Sequence, residues 1–123
     1  MKVKCLSIRQ PWAQAIFELG KNIENRTWAT HYRGPLLIHA SKRIDREAMA
    51  NWGRPGALAT GAILGVVELT DIVEHSRSMW AAPDFYHWLL ADARLFELPI
   101  LYSGRLGLFE VEIPDRVLEK VRP

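Results

Sequence analysis

Apolar and polar positions alternate cleanly at two places in the chain. Leu6 and Ile8 alternate with Ser7 and Arg9, and Phe109, Val111 and Ile113 alternate with Glu110 and Glu112. Both patterns predict strands, the second with one wet face. Between Pro11 and Leu19 the period lengthens, with Trp12, Ile16 and Leu19 at i, i+4 and i+7. That spacing predicts a helix with one apolar stripe, opened by Pro11 where a missing N–H is not needed and stopped at Gly20. Further on, the pattern predicts a short strand over 23–28, a turn at Tyr32, Arg33 and Gly34, and a compact apolar strand over 35–40. A second helix is expected from Asp45 to Trp52, broken by Arg54, Pro55 and Gly56. The apolar run from Gly61 to Val73 reads as one long buried strand bulged at Gly65. A short helix over 84–90, a strand over 95–102, a turn at Ser103 and Gly104, and a last helix capped by Asp115 and reaching Val121 complete the reading. The rhythm of alternating strands and helices that marks a doubly wound sheet is missing. The fold class expected is therefore α+β, a small barrel of five or six mainly antiparallel strands with short peripheral helices.

With 123 residues, 49% of them apolar, the chain can build one core, and residues 1–123 are expected to form a single domain. No apolar run approaches the roughly 18 residues needed to cross a membrane, and Met1 to Cys5 lacks a signal-peptide core, so no membrane association and a cytoplasmic location are expected. Cys5 is alone, which removes internal disulfides and cysteine zinc knuckles and leaves it as a small buried hydrophobe. His31, His75 and His87 are too dispersed to suggest a metal, and neither a metal nor a cofactor is expected. The net charge of +2 hides an asymmetry: residues 1–54 hold ten Lys and Arg against four acids, and residues 55–123 hold six against ten. One basic half suits a polyanionic partner.

The candidate chemistry concentrates between Leu6 and Arg43. Arg9, Arg26, Arg33, Lys42, Arg43 and Arg46 supply phosphate-pairing groups, and arginine's planar fork matches phosphate bidentately. Trp12, Trp28 and Trp52 supply flat faces for base stacking, with Trp12 placed on the core stripe and Trp28 the better platform. In an extended segment over 21–26, Glu24 and Arg26 point to one side, and Lys21, just after the helix stop, stands free of that alternation. Lys21 beside Glu24 is either a proton-transfer pair or an ion pair. Glu68, on an apolar strand, needs a cationic partner, with Lys21 or an arginine the candidates. His39 and Ser41 share one side of a strand, the combination used in nucleophilic catalysis, but no carboxylate at a readable spacing orients the ring. Both are therefore read as ligand contacts, His39 also as a hydrogen-bonded barrel residue. Gln10 either aims its amide into a cleft to read a base edge or caps the helix start.

Three stretches carry a family resemblance: Leu6-Ser7-Ile8-Arg9-Gln10-Pro11-Trp12-Ala13, Gly20-Lys21-Asn22-Ile23-Glu24-Asn25-Arg26-Thr27-Trp28, and Tyr32-Arg33-Gly34-Pro35-Leu36-Leu37-Ile38-His39-Ala40-Ser41. Together with 61–68, 86–88 and 104–111 they resemble the ASCH domain family. The resemblance implies a PUA-like β-barrel whose cleft holds RNA or a nucleoside- or nucleotide-like ligand. It also implies an alternative, since some relatives cut RNA and one short branch is an amidohydrolase on acylated cytidine, N4-acetylcytidine, with a lysine, a threonine and a glutamate. Carried onto this chain, that lysine falls on Lys21, the threonine position on Glu24 and the glutamate near Glu68. The binding reading places Lys21, Arg26, Arg33, Lys42 and Arg43 at phosphate, Trp28 in stacking, and Gln10 and Glu24 at base or ribose. The hydrolase reading, a ribonuclease or acylated-nucleoside amidohydrolase, uses Lys21 with Glu24 or Glu68.

Overall fold

The computed structural model describes residues 1–53 and 56–119. The strands are β1 (Lys2–Gln10), β2 (Ile23–Arg26), β3 (Gly34–Ile44), β4 (Ala62–Val73), β5 (Tyr86–Leu101) and β6 (Leu108–Glu112); the helices are α1 (Trp12–Glu18), α2 (Arg46–Ala50) and α3 (Asp115–Glu119). The strands form one sheet in the order β2-β5-β4-β3-β1-β6. Every pairing is antiparallel except β1 with β3. The fold is α+β and barrel-like, but β2 and β6 remain edges, so the sheet is not a closed barrel.

Both faces of the central strands are covered. Leu6, Ile8, Leu36, Ile38, Leu64 and Trp88 join one core cluster, while Val3, Cys5, Leu37, Ile63, Phe109 and Val111 join the other. Successive side chains point to opposite faces, and with both faces dry β3 and β4 read as continuous apolar runs. Burial pushes the Cys5 thiol up to about 12, which leaves it an inert core group.

The bulge expected at Gly65 is present: the β3–β4 register shifts between Ile38 and His39, and the β4–β5 register between Ile63 and Gly65. A Cβ at Gly65 would lie 2.3 Å from the Arg94 carbonyl oxygen and 2.8 Å from Phe17 Cε1, so only glycine lets β5 and α1 approach this closely.

Two local expectations are corrected. Residues 84–90 are not helical; 86–101 is one strand flanked by β2 on one side and β4 on the other. Trp88 and Leu90 are buried there, and Asp84 has φ +67, a turn into the strand rather than a helix cap. In α1 the buried residues are Ala13, Ala15 and Ile16, and Leu19 is exposed. The expected break at Arg54 and Pro55 and the helix end at Val121 lie outside the described residues. Among the described residues no helix is long and apolar enough to cross a membrane.

Candidate functional site

A cleft of about 1470 Å³ opens where the C-terminal ends of β1 and β3 meet β2 and the segments 79–85 and 103–107. Among the expected residues, Arg9, Lys21, Glu24, Arg26, Trp28, His39, Ser41, Lys42 and Arg43 all line it. The structure brings these nine together from three strands, the turn after α1 and the segment after β2.

At the inner wall a carboxylate holds two cations. Glu24 Oε1 accepts from Lys21 Nζ at 3.0 Å, and Oε2 accepts from Arg26 Nε at 3.1 Å, with Arg26 Nη2 at 2.9 Å. Lys21 Nζ also donates to the Ile23 carbonyl, and Arg26 Nη2 donates to the Ser7 carbonyl at 2.8 Å. Lys21 is 5% exposed and Glu24 8%, so the charges are largely dry and their partners fixed. The expected same-side placement of Glu24 and Arg26 is what permits this. Because both carboxylate oxygens are engaged, Glu24 acts as the clamp that orients Arg26.

Toward the mouth the cations are differently placed. Lys42, Arg43 and Arg105 line the cleft and form no ion pair among the described residues. Arg9 lies near Asp45, whose carboxyl is held below the usual range by the Ala48 backbone N–H, then by the Trp12 indole N–H, with Arg9 contributing less. Asp45 thereby caps α2 through Oδ1 at 3.0 Å and holds the Trp12 Nε1 through Oδ2 at 3.0 Å. Trp12 is thus both partly in the core and part of the wall. Trp28 packs edge-on against buried Trp88 with ring centroids 4.8 Å apart, and the Trp28 carbonyl accepts from Trp88 Nε1. Trp80, Phe85 and Tyr102 complete the aromatic lining.

Five expected residues lie elsewhere: Gln10, Arg33, Arg46, Trp52 and Glu68. Gln10 is fully buried; its Nε2 donates to the Ala59 carbonyl at 2.8 Å and its Oε1 accepts from Gln14 N at 2.9 Å, so it caps the helix start and does not face the cleft. Arg33 bonds Asp71 at 3.2 Å and the Thr30 and Tyr32 carbonyls on the outer surface. Glu68 is exposed on β4, away from Lys21, where its charge adds to burial in raising the Tyr32 phenol. Its strand neighbours across the sheet are Pro35 and Ala91, both exposed. The alternation of β4 puts Glu68 outward, so its expected pairing with Lys21 is not formed. Trp52 does not line the cleft.

Sequence reasoning misses several lining residues. Ser7 bonds His39 Nδ1 at 2.8 Å, whereas Ser41 Oγ accepts from the Arg43 backbone N–H instead. Only the parallel register Ser7↔His39 reveals this pair. Asn25 is a hub: its amide donates to the Trp80 carbonyl, and its Oδ1 accepts from Ala82 N and lies 2.7 Å from His87 Nδ1. It fastens the segment carrying Met79, Trp80 and Phe85 against the cleft. Arg105, between Gly104 and Gly107, is signalled in the sequence only as a cation set among glycines.

The family model of the ASCH domain matches residues 6–100. The chain belongs to the ASCH domain family. Activating signal cointegrator 1 of Homo sapiens is 31% identical over 93 residues, covering 65% of this chain and 16% of the human protein. The protein of the same name from Mus musculus is 32% identical over 93 residues, with the same coverage. The ASCH chain therefore spans about a sixth of the length of these relatives. The matched stretch contains the cleft-lining residues of β1, β2 and β3, while Tyr102 and the 103–107 segment, Arg105 included, lie beyond it.

Proposed function

We propose that this ASCH domain binds single-stranded RNA or a nucleotide-like ligand in the cleft between β1, β2 and β3. The observation that carries the reading is the division of labour among the cations. Arg26 is locked by Glu24, whereas Lys42, Arg43 and Arg105 stand at the mouth without a carboxylate partner among the described residues. Unpaired cations on one rim attract phosphates, and Trp12, Trp28, Trp80 and Phe85 on the walls offer faces to bases. Family membership supports the same ligand class.

Fluorescence anisotropy of a labelled single-stranded RNA over a salt series tests the reading. Replacing Lys42 and Arg43 with alanine should flatten the slope of log K against log salt by about 0.7 for each phosphate that is no longer neutralised. Arg33→Ala, on the outer surface, should leave both affinity and slope unchanged. Equal effects from the two variants would place the ligand on the other face, and salt-independent or absent binding would overturn the proposal.

A further inference from the structure

At the floor of the cleft the parallel register of β1 and β3 sets Ser7 beside His39. Ser7 Oγ is 2.8 Å from His39 Nδ1, and His39 Nε2 is 2.7 Å from the Tyr102 carbonyl oxygen. A carbonyl can only accept, so Nε2 carries the proton, and in the neutral ring Nδ1 presents its lone pair to the serine. The hydroxyl is then the donor. We propose that Ser7 is a nucleophile with His39 as its general base, acting on a carboxylic ester whose leaving alcohol carries phosphate.

The arrangement has the parts that covalent catalysis by a hydroxyl requires: a nucleophile in hydrogen-bond contact with a base, and a third group that fixes the base. Here the third group is an amide carbonyl rather than a carboxylate, the role an asparagine side chain takes in Cys–His–Asn hydrolases. Its source is the backbone of Tyr102, which is why no acidic residue at a readable spacing marks the site in the sequence. His39 is 1% exposed and packs edge-on to Phe109 at 6.3 Å, so the ring cannot turn away. Arg26 holds the Ser7 carbonyl, which fixes the nucleophile's backbone.

Gly104 lies close over the pair. A Cβ there would meet His39 Cε1 at 2.8 Å and Ser7 Oγ at 2.9 Å, so a glycine lets the 103–107 loop shield the pair from bulk water without displacing it. The same loop carries Arg105 into the cleft that Lys42 and Arg43 also line, which supplies the phosphate preference. That preference rests on the binding reading given above.

In the reaction the Ser7 hydroxyl proton passes to His39 Nδ1 as Oγ bonds to the acyl carbon. The bond from that carbon to the alcohol oxygen breaks, and the alcohol leaves with the proton from Nδ1. Water, deprotonated by the same nitrogen, then attacks the acyl-serine, releasing the carboxylic acid and restoring Ser7. One ester and one water give one acid and one alcohol, with no oxidant or further reactant.

The test is incubation of the full chain with p-nitrophenyl acetate and, separately, with an acetate ester of a phosphorylated alcohol, followed by mass mapping. The expected result is an acetyl group on the peptide carrying Ser7 and faster turnover of the phosphorylated ester, a preference that fades at high salt. Ser7→Ala should abolish acylation with an unchanged melting temperature, Ser7→Cys should restore it, and His39→Gln should slow it by about 100- to 10,000-fold. Should His39→Gln fail to fold, the Ser7 variants decide alone. A folded wild type that gains no acetyl group at Ser7, or Ser7→Ala reacting at the wild-type rate, overturns the proposal. Salt-sensitive RNA binding by the wild type without acylation would sink the nucleophile and spare the binding reading. Acylation at Ser7 without RNA binding or phosphate preference would overturn the assigned substrate class and the binding reading together.

Discussion

Glu24→Gln is the substitution that most directly separates a clamp from a ligand contact. The carboxylate accepts from Lys21 on one oxygen and from Arg26 on the other, and Lys21 and Glu24 are both nearly dry. Glutamine keeps the shape but has one acceptor, so its amide N–H₂ must face one of the two cations. Removing one partner of a buried ion pair leaves an uncompensated charge and costs about 3 to 5 kcal/mol. Lys21 retains its bond to the Ile23 carbonyl and Arg26 its bond to the Ser7 carbonyl, which places the loss toward the lower figure. A loss of about 3 kcal/mol lowers the melting temperature of a domain this size by roughly 10 °C. Differential scanning calorimetry reads that directly. In the RNA assay the same variant, having lost a negative charge from the wall, should bind at least as tightly as wild type at low salt. If Glu24 instead contacted base or ribose, affinity would fall. An unchanged melting temperature would refute the clamp, because desolvation of the three charges would then cancel their attraction.

Two further outcomes follow from the packing and from one perturbed group. Gly65→Ala sets a methyl against the Arg94 carbonyl and Phe17 and should destabilise the fold by about 1 to 3 kcal/mol, seen as a lower urea midpoint; a wild-type midpoint would mean β5 can shift at the bulge. The Asp45 carboxyl, lowered chiefly by the Ala48 N–H and then by Trp12, contributes stability that is present above the ordinary carboxylate range and is lost as pH falls through its lowered folded value. Melting temperatures of wild type and Asp45→Ala should therefore converge on acidification, and a gap that stays constant would remove Asp45 from the acid response.

The candidate site is legible where local sequence already dictates geometry. Extended backbone at 23–26 forces Glu24 and Arg26 to one side, so their shared side follows from spacing alone. Gly65 in an apolar strand signals its bulge for a similarly local reason. The strand over 86–101 reads falsely as a helix at its start because a strand covered on both faces loses its alternation, and Trp88, Leu89 and Leu90 in a row fit a helix as well. Chemical need gives Glu68 a cationic partner, but its face of β4 is fixed by register, which a one-residue difference inverts.

By itself the sequence determined the α+β class, the α1 and β1 signals, the inert cysteine, the basic half and the family resemblance, all of which depend on composition or on neighbours within a few residues. Tertiary structure alone decided that Arg33 faces outward to Asp71, that Gln10 is a buried staple, and that Ser7 meets His39 and the Tyr102 carbonyl. Those interactions join segments distant in sequence, 63 residues apart for His39 and Tyr102. Their partners are set by strand order and register, which follow from the burial of two whole sheet faces at once rather than from any local pattern.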